Sequence, residues 1–448
     1  MKKNIKLFFD NKSITMLFLG FSSGLPILLV FSTLSVWLVK AGIERNTVTL
    51  FSWAGFAYAF KYLWSPLVDN CQMPIFKKLG HRRSWLIFSQ LSVCMFLIFI
   101  SFIDPQKNIY LIAFAVTMLA ISSATQDIII DAFRIESAPQ FMQGPLSSMF
   151  IAGYRLAMLI SGAGSLWLAA SFGTEIYNQL TWQKVYLIMS ALMLIGILTT
   201  IFASEPNIKR LKNLKTKNQL RFLMIIILSI VSFIFLYSKL SSPFEDNLVL
   251  NFIFTVFRLI LCFILAFLII YISTKIHFVS KNEFKSSYFN PILTFLKKYG
   301  KFAFFILLLI SLYRIADIVM GVMANIFYLE KGYDIKDIAT YSKFFGVFAT
   351  ILGGFLGGYF SLKFGTMKSL FFGALIAAAS NLLFAWLAVH AISIKLLIYV
   401  ITADNISSGF AGAAFVIYLS GLTSIKFTAT QYALFSSIML FIPKLIAG

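Results

Sequence analysis

Charged residues are scarce in this sequence of 448 residues, because Asp, Glu, Lys and Arg together make up only 12% of it. Soluble domains carry about twice that fraction, and the mean hydropathy of +0.87 is correspondingly high. Long apolar runs recur along the whole chain, whereas the short alternating segments of a transmembrane β-barrel do not occur. The composition therefore predicts an all-α polytopic membrane protein.

Cysteine is also rare, and no catalytic signature is present. The three cysteines, Cys71, Cys94 and Cys262, lie far apart without a C-x-x-C motif, so we expect no disulfide, metal site or cofactor. The H-E-x-x-H, G-x-S-x-G and Walker motifs are absent. These absences predict that the chain is not an enzyme and does not use ATP directly, which leaves a secondary transporter.

Acidic residues number 17 against 38 Lys and Arg, giving a net charge of +21. In a soluble protein this excess would indicate a nucleic-acid partner. Here the basic residues cluster in every second connector between apolar runs, a pattern typical of loops that face the cytoplasm. We therefore predict a chain in the lipid bilayer with a cytoplasmic N-terminus and no nucleic-acid partner.

The apolar runs predict thirteen membrane spans, near residues 14–39, 47–68, 84–103, 109–131, 146–170, 183–203, 221–239, 249–274, 302–327, 338–360, 367–389, 395–420 and 428–446. A faint repeat relates L-V-D-N…K-K-L-G-H-R-R (67–83) to G-G-Y-F-S-L-K-F-G (357–365), since each follows the second helix of a six-helix unit. Two such units describe the major facilitator fold. The predicted domains are an N-terminal half 1–205, a linker region 206–300 with two inserted helices, and a C-terminal half 301–448.

Two further features of the sequence concern helix shape and packing. The pattern G-F-S-S-G (20–24) and the pattern G-G-F-L-G-G (353–358) place small residues where helices approach closely. The segment S-S-G-L-P (22–26) contains Gly24 and Pro26, which predict a break halfway along the first span.

Carboxylates occur inside a predicted span in S-A-T-Q-D-I-I-I-D-A-F-R (123–134). Asp127 and Asp131 are four residues apart and share one helix face. One interpretation is a cytoplasmic gate in which such acids pair with basic residues; the other is a proton-binding site. Asp131 fits the gate better and Asp127 the proton site. The predicted gate comprises Asp69, Arg82, Arg83, Asp131 and Arg134.

A second set of charges lies near the middle of the membrane: Lys61, Arg155, Arg314, Asp317, Asp404 and Asn405. Arg314 and Asp317 are three residues apart and can neutralise each other. Lys61 and Arg155 then remain in excess, which favours an anionic substrate. Tyr154 and Gln126 complete the predicted substrate contacts. Asp317 and Asp404 are further candidates for proton coupling.

Several of these motifs together resemble a known family: L-G-F-S-S-G-L-P (19–26), F-K-Y-L-W-S-P-L-V-D (60–69), Q-D-I-I-I-D (126–131), G-Y-R-L-A-M-L-I-S-G (153–162), L-Y-R-I-A-D (312–317) and A-T-Q-Y-A-L (429–434). They resemble the AmpG muropeptide permeases of the major facilitator superfamily. The resemblance runs along most of the chain and is weakest through 204–300.

The resemblance implies a proton-driven importer in the bacterial inner membrane. Its substrate would be N-acetylglucosamine–anhydro-N-acetylmuramic acid, with or without a stem peptide, recycled from peptidoglycan. The family ends with one more complete helix after 428–446, so we expect that helix to be missing here. Two alternatives stay open: a major facilitator transporter of another anion such as acetyl-coenzyme A, and a transporter-like sensor or inactive remnant.

Overall fold

The computed structural model describes residues 2–173, 177–208, 216–244, 247–276, 278, 280, 282 and 285–447. Within them the thirteen predicted spans are all helical. The helices are α1 Asn11–Lys40, α2 45–70, α3 His81–Ser101, α4 Ile109–Ser137, α5 Gln140–Phe172, α6 Gln179–Phe202, α7 Thr216–Lys239, α8 Leu248–Lys275, α9 Phe302–Lys331, α10 Thr340–Phe364, α11 Thr366–Val389, α12 Ile394–Leu422 and α13 Thr428–Ala447.

Ten of these helices are each long and apolar enough to cross a membrane, counted over the described part of the chain. The others are α2, which is divided into short pieces, α7, whose apolar stretch is Met224–Lys239, and α13. An apolar helix satisfies all its own backbone hydrogen bonds, which is why such runs cross lipid as helices. The protein is therefore a multi-pass membrane protein.

Close helix packing follows from the small residues that the sequence places in patterns. A Cβ atom on Gly24 of α1 would lie 2.3 Å from the carbonyl oxygen of Tyr154 in α5. A Cβ atom on Gly358 of α10 would lie 2.0 Å from the Oγ of Ser148 in α5. Helix α5 therefore packs against α1 in the N-terminal group of helices, α1–α6, and against α10 in the C-terminal group, α9–α13.

The inserted helices α7 and α8 pack against each other and against α2. The ring of Phe60 in α2 lies 5.3 Å from the ring of Phe233 in α7 and 5.1 Å from that of Phe263 in α8, both edge-on. Edge-to-face contacts at this separation are favourable for aromatic rings. The pair thus lies beside α2.

The helix breaks differ from the prediction. Helix α1 continues through Gly24 and Pro26 to Val30 and is interrupted at Phe31, where φ is −110° and ψ is −93°. The prediction of a break at 22–26 is therefore wrong: the break lies about one turn later. The helix continues through Pro26 because it tolerates the loss of that residue's N–H. Helix α2 is the more strongly broken one, with 3₁₀ turns at Phe51–Ala54 and Lys61–Leu63.

We call one end of the bundle the basic end; it carries the connector 71–80 and residues 423–427. Cys71 is 5% exposed, so it cannot report on the side of the membrane, whereas Ile75 in the same connector is 71% exposed. We predict that Ile75→Cys reacts with a membrane-impermeant maleimide in inverted vesicles and not in intact spheroplasts. The wild type, which retains its own cysteines, is the control. Labelling in spheroplasts would contradict a cytoplasmic basic end.

Candidate functional site

Arg82 organises the basic end of the N-terminal group. Gly80, with φ of 101°, turns the chain into α3, so Arg82 lies in the first turn and is 2% exposed. Its Nη2 lies 2.7 Å from Oδ1 of Asp69 and 2.6 Å from Oε1 of Glu136, and its Nε donates to Oε2 of Glu136 at 3.0 Å. The forked guanidinium thus ties α2 and α4 to α3.

Asp69 also joins the two groups of helices. Its carboxylate accepts from the backbone N–H of Ala429 at 3.2 Å and of Thr430 at 2.8 Å, and from the Thr430 hydroxyl at 2.7 Å. These groups lie in the first turn of α13. A carboxylate at a helix N-terminus satisfies unpaired N–H groups and interacts favourably with the helix dipole. One aspartate therefore holds α13 against α2 and α3.

Asp131 and Arg134 form a second contact between the groups. Asp131 lies 3.1 Å from Nη2 of Arg134 and 3.8 Å from Nζ of Lys61. Arg134 is completely buried, and its Nη1 donates to the hydroxyls of Ser147 and Ser420, each at 2.9 Å. Because Ser420 belongs to α12, this arginine links α4 and α5 to the C-terminal group.

We name Asp69, Arg82, Asp131, Arg134 and Glu136 the closing layer. A further bond between the groups, from the Ser148 hydroxyl to the carbonyl of Gly354 at 2.7 Å, lies toward the same end of α5. The inter-group polar contacts found between described residues all lie in this part of the bundle. The structure is therefore closed at the basic end.

The closing layer contains four of the five predicted gate residues, and within it Asp131 pairs with Arg134, as the gate interpretation allows. Arg83 does not join it, because its guanidinium donates to the carbonyl of Thr200 at 2.9 Å and to that of Ile201, both in α6. Arg82 pairs with Asp69 and Glu136 rather than with Asp131. The gate prediction is wrong for Arg83 because the side chain points along α6 within its own group.

Sequence reasoning missed two acids in this region. Glu136 lies two residues after Arg134 in R-I-E, beyond the predicted span 109–131, where a residue is expected to be exposed rather than buried. Glu205 follows α6 and accepts from the backbone N–H groups of Arg82 at 2.8 Å and Arg83 at 3.0 Å. The signal for Glu205 was an acid directly after α6, in a connector at the same end as the basic turn 77–83. An acid there can cap the N-terminus of α3, as Glu205 does.

Further from the basic end lies a set of partly exposed side chains that we name the central cluster: Asp127, Tyr154, Arg155, Arg314, Asp317, Asp404 and Asn405. They come from α4 and α5 in one group and from α9 and α12 in the other. The central cluster therefore contains residues from both groups of helices.

Asp127 is held on the N-terminal side of the central cluster. The Ser23 hydroxyl of α1 donates to its Oδ1 at 2.5 Å. Lys61 and Asp131 lie within electrostatic range of the same carboxylate. Tyr58, which sequence reasoning missed, also interacts with Asp127 and is 6% exposed. Its signal was its position three residues before Lys61, on the same helix face.

Arg314 and Asp317 form the predicted local pair, with Nε and Oδ2 2.9 Å apart. Arg155 interacts electrostatically with both of them across the two groups. Its Nη1 approaches the Met158 sulfur at 3.9 Å. Among the residues that the structure describes, no carboxylate lies within 4.0 Å of the Arg155 guanidinium. Arg155 is therefore a cation without a close counter-charge.

Asp404 and Asn405 form the wall on α12. The Asn405 side chain accepts from the Thr350 hydroxyl at 2.9 Å and donates to the carbonyl of Ile401 at 2.8 Å, which leaves one N–H of its amide. Asp404 interacts with Asp317, a like charge. Within the described ranges, no cation pairs with Asp404.

Two predicted substrate contacts need correction. Lys61 was expected to lack an acid, but it is 6% exposed and lies 3.8 Å from Asp131. Gln126 is completely buried, and its amide donates to the Ser22 hydroxyl at 2.9 Å. Consecutive residues are about 100° apart on a helix, so Gln126 lies on the buried side of α4 and Asp127 on its partly exposed side, although both contact α1.

No metal site is indicated within the described part of the chain, since it contains no group of three or more His, Cys, Asp and Glu side chains that could hold an ion. The chemistry of the central cluster is instead that of charge recognition. Arginines can bind anions, and the partly exposed carboxylates can bind protons.

An all-helical bundle in two groups, with charged side chains buried between them, defines a secondary transporter of the major facilitator class. The chain belongs to the Major Facilitator Superfamily, whose family model matches residues 13–447, and within it to the AmpG transporters.

The relatives that show this are similar over nearly the whole chain. "Putative transporter AmpG 4" of Rickettsia conorii (strain ATCC VR-613 / Malish 7) is 32% identical over 432 residues, covering 96% of this chain and 87% of the relative. The "Anhydromuropeptide permease" of Escherichia coli (strain K12) is 28% identical over 438 residues, covering 97% of this chain and 72% of the relative.

Solved structures share the fold at lower identity. The proton:xylose symporter XylE has a TM-score of 0.58 at 12% identity, covering 99% of this chain and 88% of its own. The fucose:proton symporter FucP of E. coli has a TM-score of 0.57 at 12% identity, covering 97% and 88%. These likenesses support the fold.

We predict that Asp69→Asn opens the basic end. The amide loses the charge that pairs with Arg82 and caps α13, and hydrogen bonds to charged groups contribute about 1.5–3 kcal/mol each. Spin labels at Ile75→Cys and Met367→Cys, in exposed positions of the two groups, should then show a larger population of long distances.

Arg83→Gln is the matched control, because Arg83 bonds only within the N-terminal group among the contacts described above. Its distance distribution should equal that of the wild type. An unchanged distribution in Asp69→Asn would mean that this aspartate does not hold the basic end closed.

Proposed function

We propose that this protein imports cell-wall muropeptides from the periplasm to the cytoplasm across the bacterial inner membrane, for peptidoglycan recycling. The proposed substrate is N-acetylglucosamine–anhydro-N-acetylmuramic acid with or without its stem peptide, moved together with protons. The observation that carries the proposal is Arg155, which faces the Arg314–Asp317 pair across the two groups without a close carboxylate of its own.

An uncompensated guanidinium at membrane depth is unfavourable, and it cannot lose its proton. An anionic substrate supplies the missing counter-charge. Stem peptides carry carboxylates, which a guanidinium can bind with two parallel hydrogen bonds. Tyr154, beside Arg155 on α5, provides a ring on which a sugar can stack. This arrangement supports an anionic sugar-peptide as the substrate.

Proton coupling is proposed for Asp127 first. Its carboxylate accepts a 2.5 Å bond from Ser23 and lies near Lys61, so protonation would change the charge balance of the N-terminal wall. Asp404 is the second candidate, because it lies near Asp317 and has no cation partner among the described residues. Asp317 is third, since Arg314 keeps it paired.

The closed basic end fits the outward-facing stage of such a cycle, provided that this end is cytoplasmic. The central cluster would then receive substrate from the periplasm, and the closing layer would separate to release it. Transport by alternating movement of two groups around one central site is typical of secondary transporters.

We predict that Arg155→Gln weakens uptake of the peptide-bearing disaccharide about tenfold to a hundredfold, because one charge-assisted contact contributes about 1.5–3 kcal/mol. Uptake of the peptide-free disaccharide, which has fewer carboxylates, should fall less. The measurement is competition between the two labelled sugars in vesicles, normalised to the amount of protein in the membrane.

Arg155→Lys is the control variant, since it keeps the charge and loses the fork. Equal losses for both sugars in Arg155→Gln would remove Arg155 from the substrate site. Acetyl-coenzyme A should not compete with either sugar. Competition by acetyl-coenzyme A would favour that alternative substrate, and binding of muropeptide without uptake would favour a sensor.

We predict that Asp127→Asn abolishes accumulation of muropeptide against its gradient while exchange of internal for external substrate persists. The amide can still accept from Ser23, so the change removes mainly the titrating charge. Asp404→Asn and Asp317→Asn are measured in parallel, and a protonophore should collapse uptake by the wild type. Normal accumulation in all three variants would exclude coupling through these carboxylates.

A further inference from the structure

Lys61 lies in the part of α2 where the helix is broken. The pieces around it are the helix Gly55–Ala59, the 3₁₀ turn Lys61–Leu63 and the helix Ser65–Asn70. Phe60 and Trp64 on either side of the turn have φ near −105° and ψ near zero, at −104° and 12° for Phe60 and −111° and −2° for Trp64. The position of the Lys61 side chain therefore depends on how this turn is stabilised.

The break has a cause in the sequence, which is Pro66. Proline has no N–H, so it cannot donate to the carbonyl of Tyr62 four residues before or of Leu63 three residues before. The next N–H, that of Leu67, donates to the carbonyl of Trp64 at 3.0 Å instead. Two carbonyls of α2 consequently need partners from outside the helical pattern.

Side-chain hydroxyls donate to both of these carbonyls. The Ser65 hydroxyl donates to the Tyr62 carbonyl at 2.9 Å, which is a local bond. The Tyr288 hydroxyl donates to the Leu63 carbonyl across 225 residues of sequence. Tyr288 is 9% exposed, so little solvent is available to replace its bond. Leu63 is two residues from Lys61.

The segment that carries Tyr288 contacts the broken part of α2 through more than one residue. It is the π-helical turn Lys285–Phe289, which follows the inserted helices α7 and α8. The Tyr288 ring meets the Tyr62 ring edge-on at 6.3 Å. The neighbouring Ser287 accepts from the Asn70 amide at 3.3 Å. The turn therefore contacts α2 on both sides of Pro66.

Opposite this segment, α2 contacts α4. The indole of Trp64 donates to the Thr125 hydroxyl at 3.1 Å, and Lys61 reaches Asp131 at 3.8 Å. The broken turn is thus held between α4 on one side and the linker turn on the other. The Phe60 ring, against α7 and α8, extends the outer contact by one residue.

We propose that Tyr288 is a positioning residue that caps the carbonyl freed by Pro66 and so holds Lys61 against Asp131. The inserted helices then have a role, which is to return the linker turn to α2. This inference rests on the proposed function only in that Lys61, the neighbour of the proposed proton site Asp127, affects translocation.

The test is Tyr288→Phe, which removes the hydroxyl and keeps the ring packed on Tyr62. Uptake of the labelled peptide-bearing disaccharide should fall about tenfold, since a buried carbonyl loses its donor. In a Lys61→Gln background, Tyr288→Phe should change uptake by less than about twofold, because non-additivity is expected when one residue acts through another. Equal losses in both backgrounds would overturn the proposal, and so would no loss in either.

Pro66→Ala provides a rescue that a merely structural role of the tyrosine ring would not show. It restores an N–H for the Tyr62 carbonyl and allows Leu67 to donate to Leu63, so Tyr288→Phe should lose most of its effect in that background. Tyr299→Phe, in the adjacent helix Asn290–Tyr299, is the matched control and should transport normally. Failure of Pro66→Ala to reduce the effect would contradict capping of Leu63.

A readout that does not need transport separates this inference from the proposed function. In purified protein, acetylation of Lys61 by an N-hydroxysuccinimide ester, followed by mass spectrometry, should be several-fold faster in Tyr288→Phe than in the wild type. Exposed Lys297 is the internal standard and should not change. If muropeptide uptake is absent but Lys61 reactivity rises, the proposed function fails and the positioning role stands; unchanged reactivity overturns the positioning role.

Discussion

Burial of the Arg82 guanidinium is the constraint on which the closed end of the bundle depends. This group stays charged at any physiological pH and is 2% exposed, so carboxylates must accompany it. Asp69 and Glu136 do so. The Asp69 carboxylate also accepts hydrogen bonds from the first turn of α13 and so caps that helix. Four helices are thereby fixed by one cation. To open this end, the protein must hydrate these charges or offer them other partners.

The same requirement, that no polar group remain unpartnered away from water, shapes the backbone of α2. Pro66 is compatible with a membrane helix because Ser65 and Tyr288 satisfy the carbonyls that it frees. The result is a short 3₁₀ turn that turns Lys61 toward α4. In a straight helix Lys61 would point in a different direction, so the break determines that Lys61 pairs with Asp131.

Sequence alone was sufficient for the apolar helices and the family, because each depends on local hydropathy or motifs, whereas the roles of the site residues stay predictions. It was insufficient for pairing. Arg83 and Gln126 were misassigned because one or two positions of helix rotation decide whether a side chain faces a neighbour or the central cluster. Glu136, Glu205 and Tyr288 were missed because their partners lie in other helices. Tertiary contacts of this kind leave no periodic signal in one sequence.

Lys61 connects the two parts of the site. It lies 3.8 Å from Asp131 in the closing layer and within electrostatic range of Asp127 in the central cluster. In the proposed cycle, a proton on Asp127 would remove one of the two charges that attract this lysine and leave it to Asp131, within the N-terminal group. Loss of that proton would restore the competition between the two carboxylates. In the proposed cycle, Lys61 would thus link the protonation of Asp127 to Asp131, the acid that also pairs with Arg134 in the closing layer.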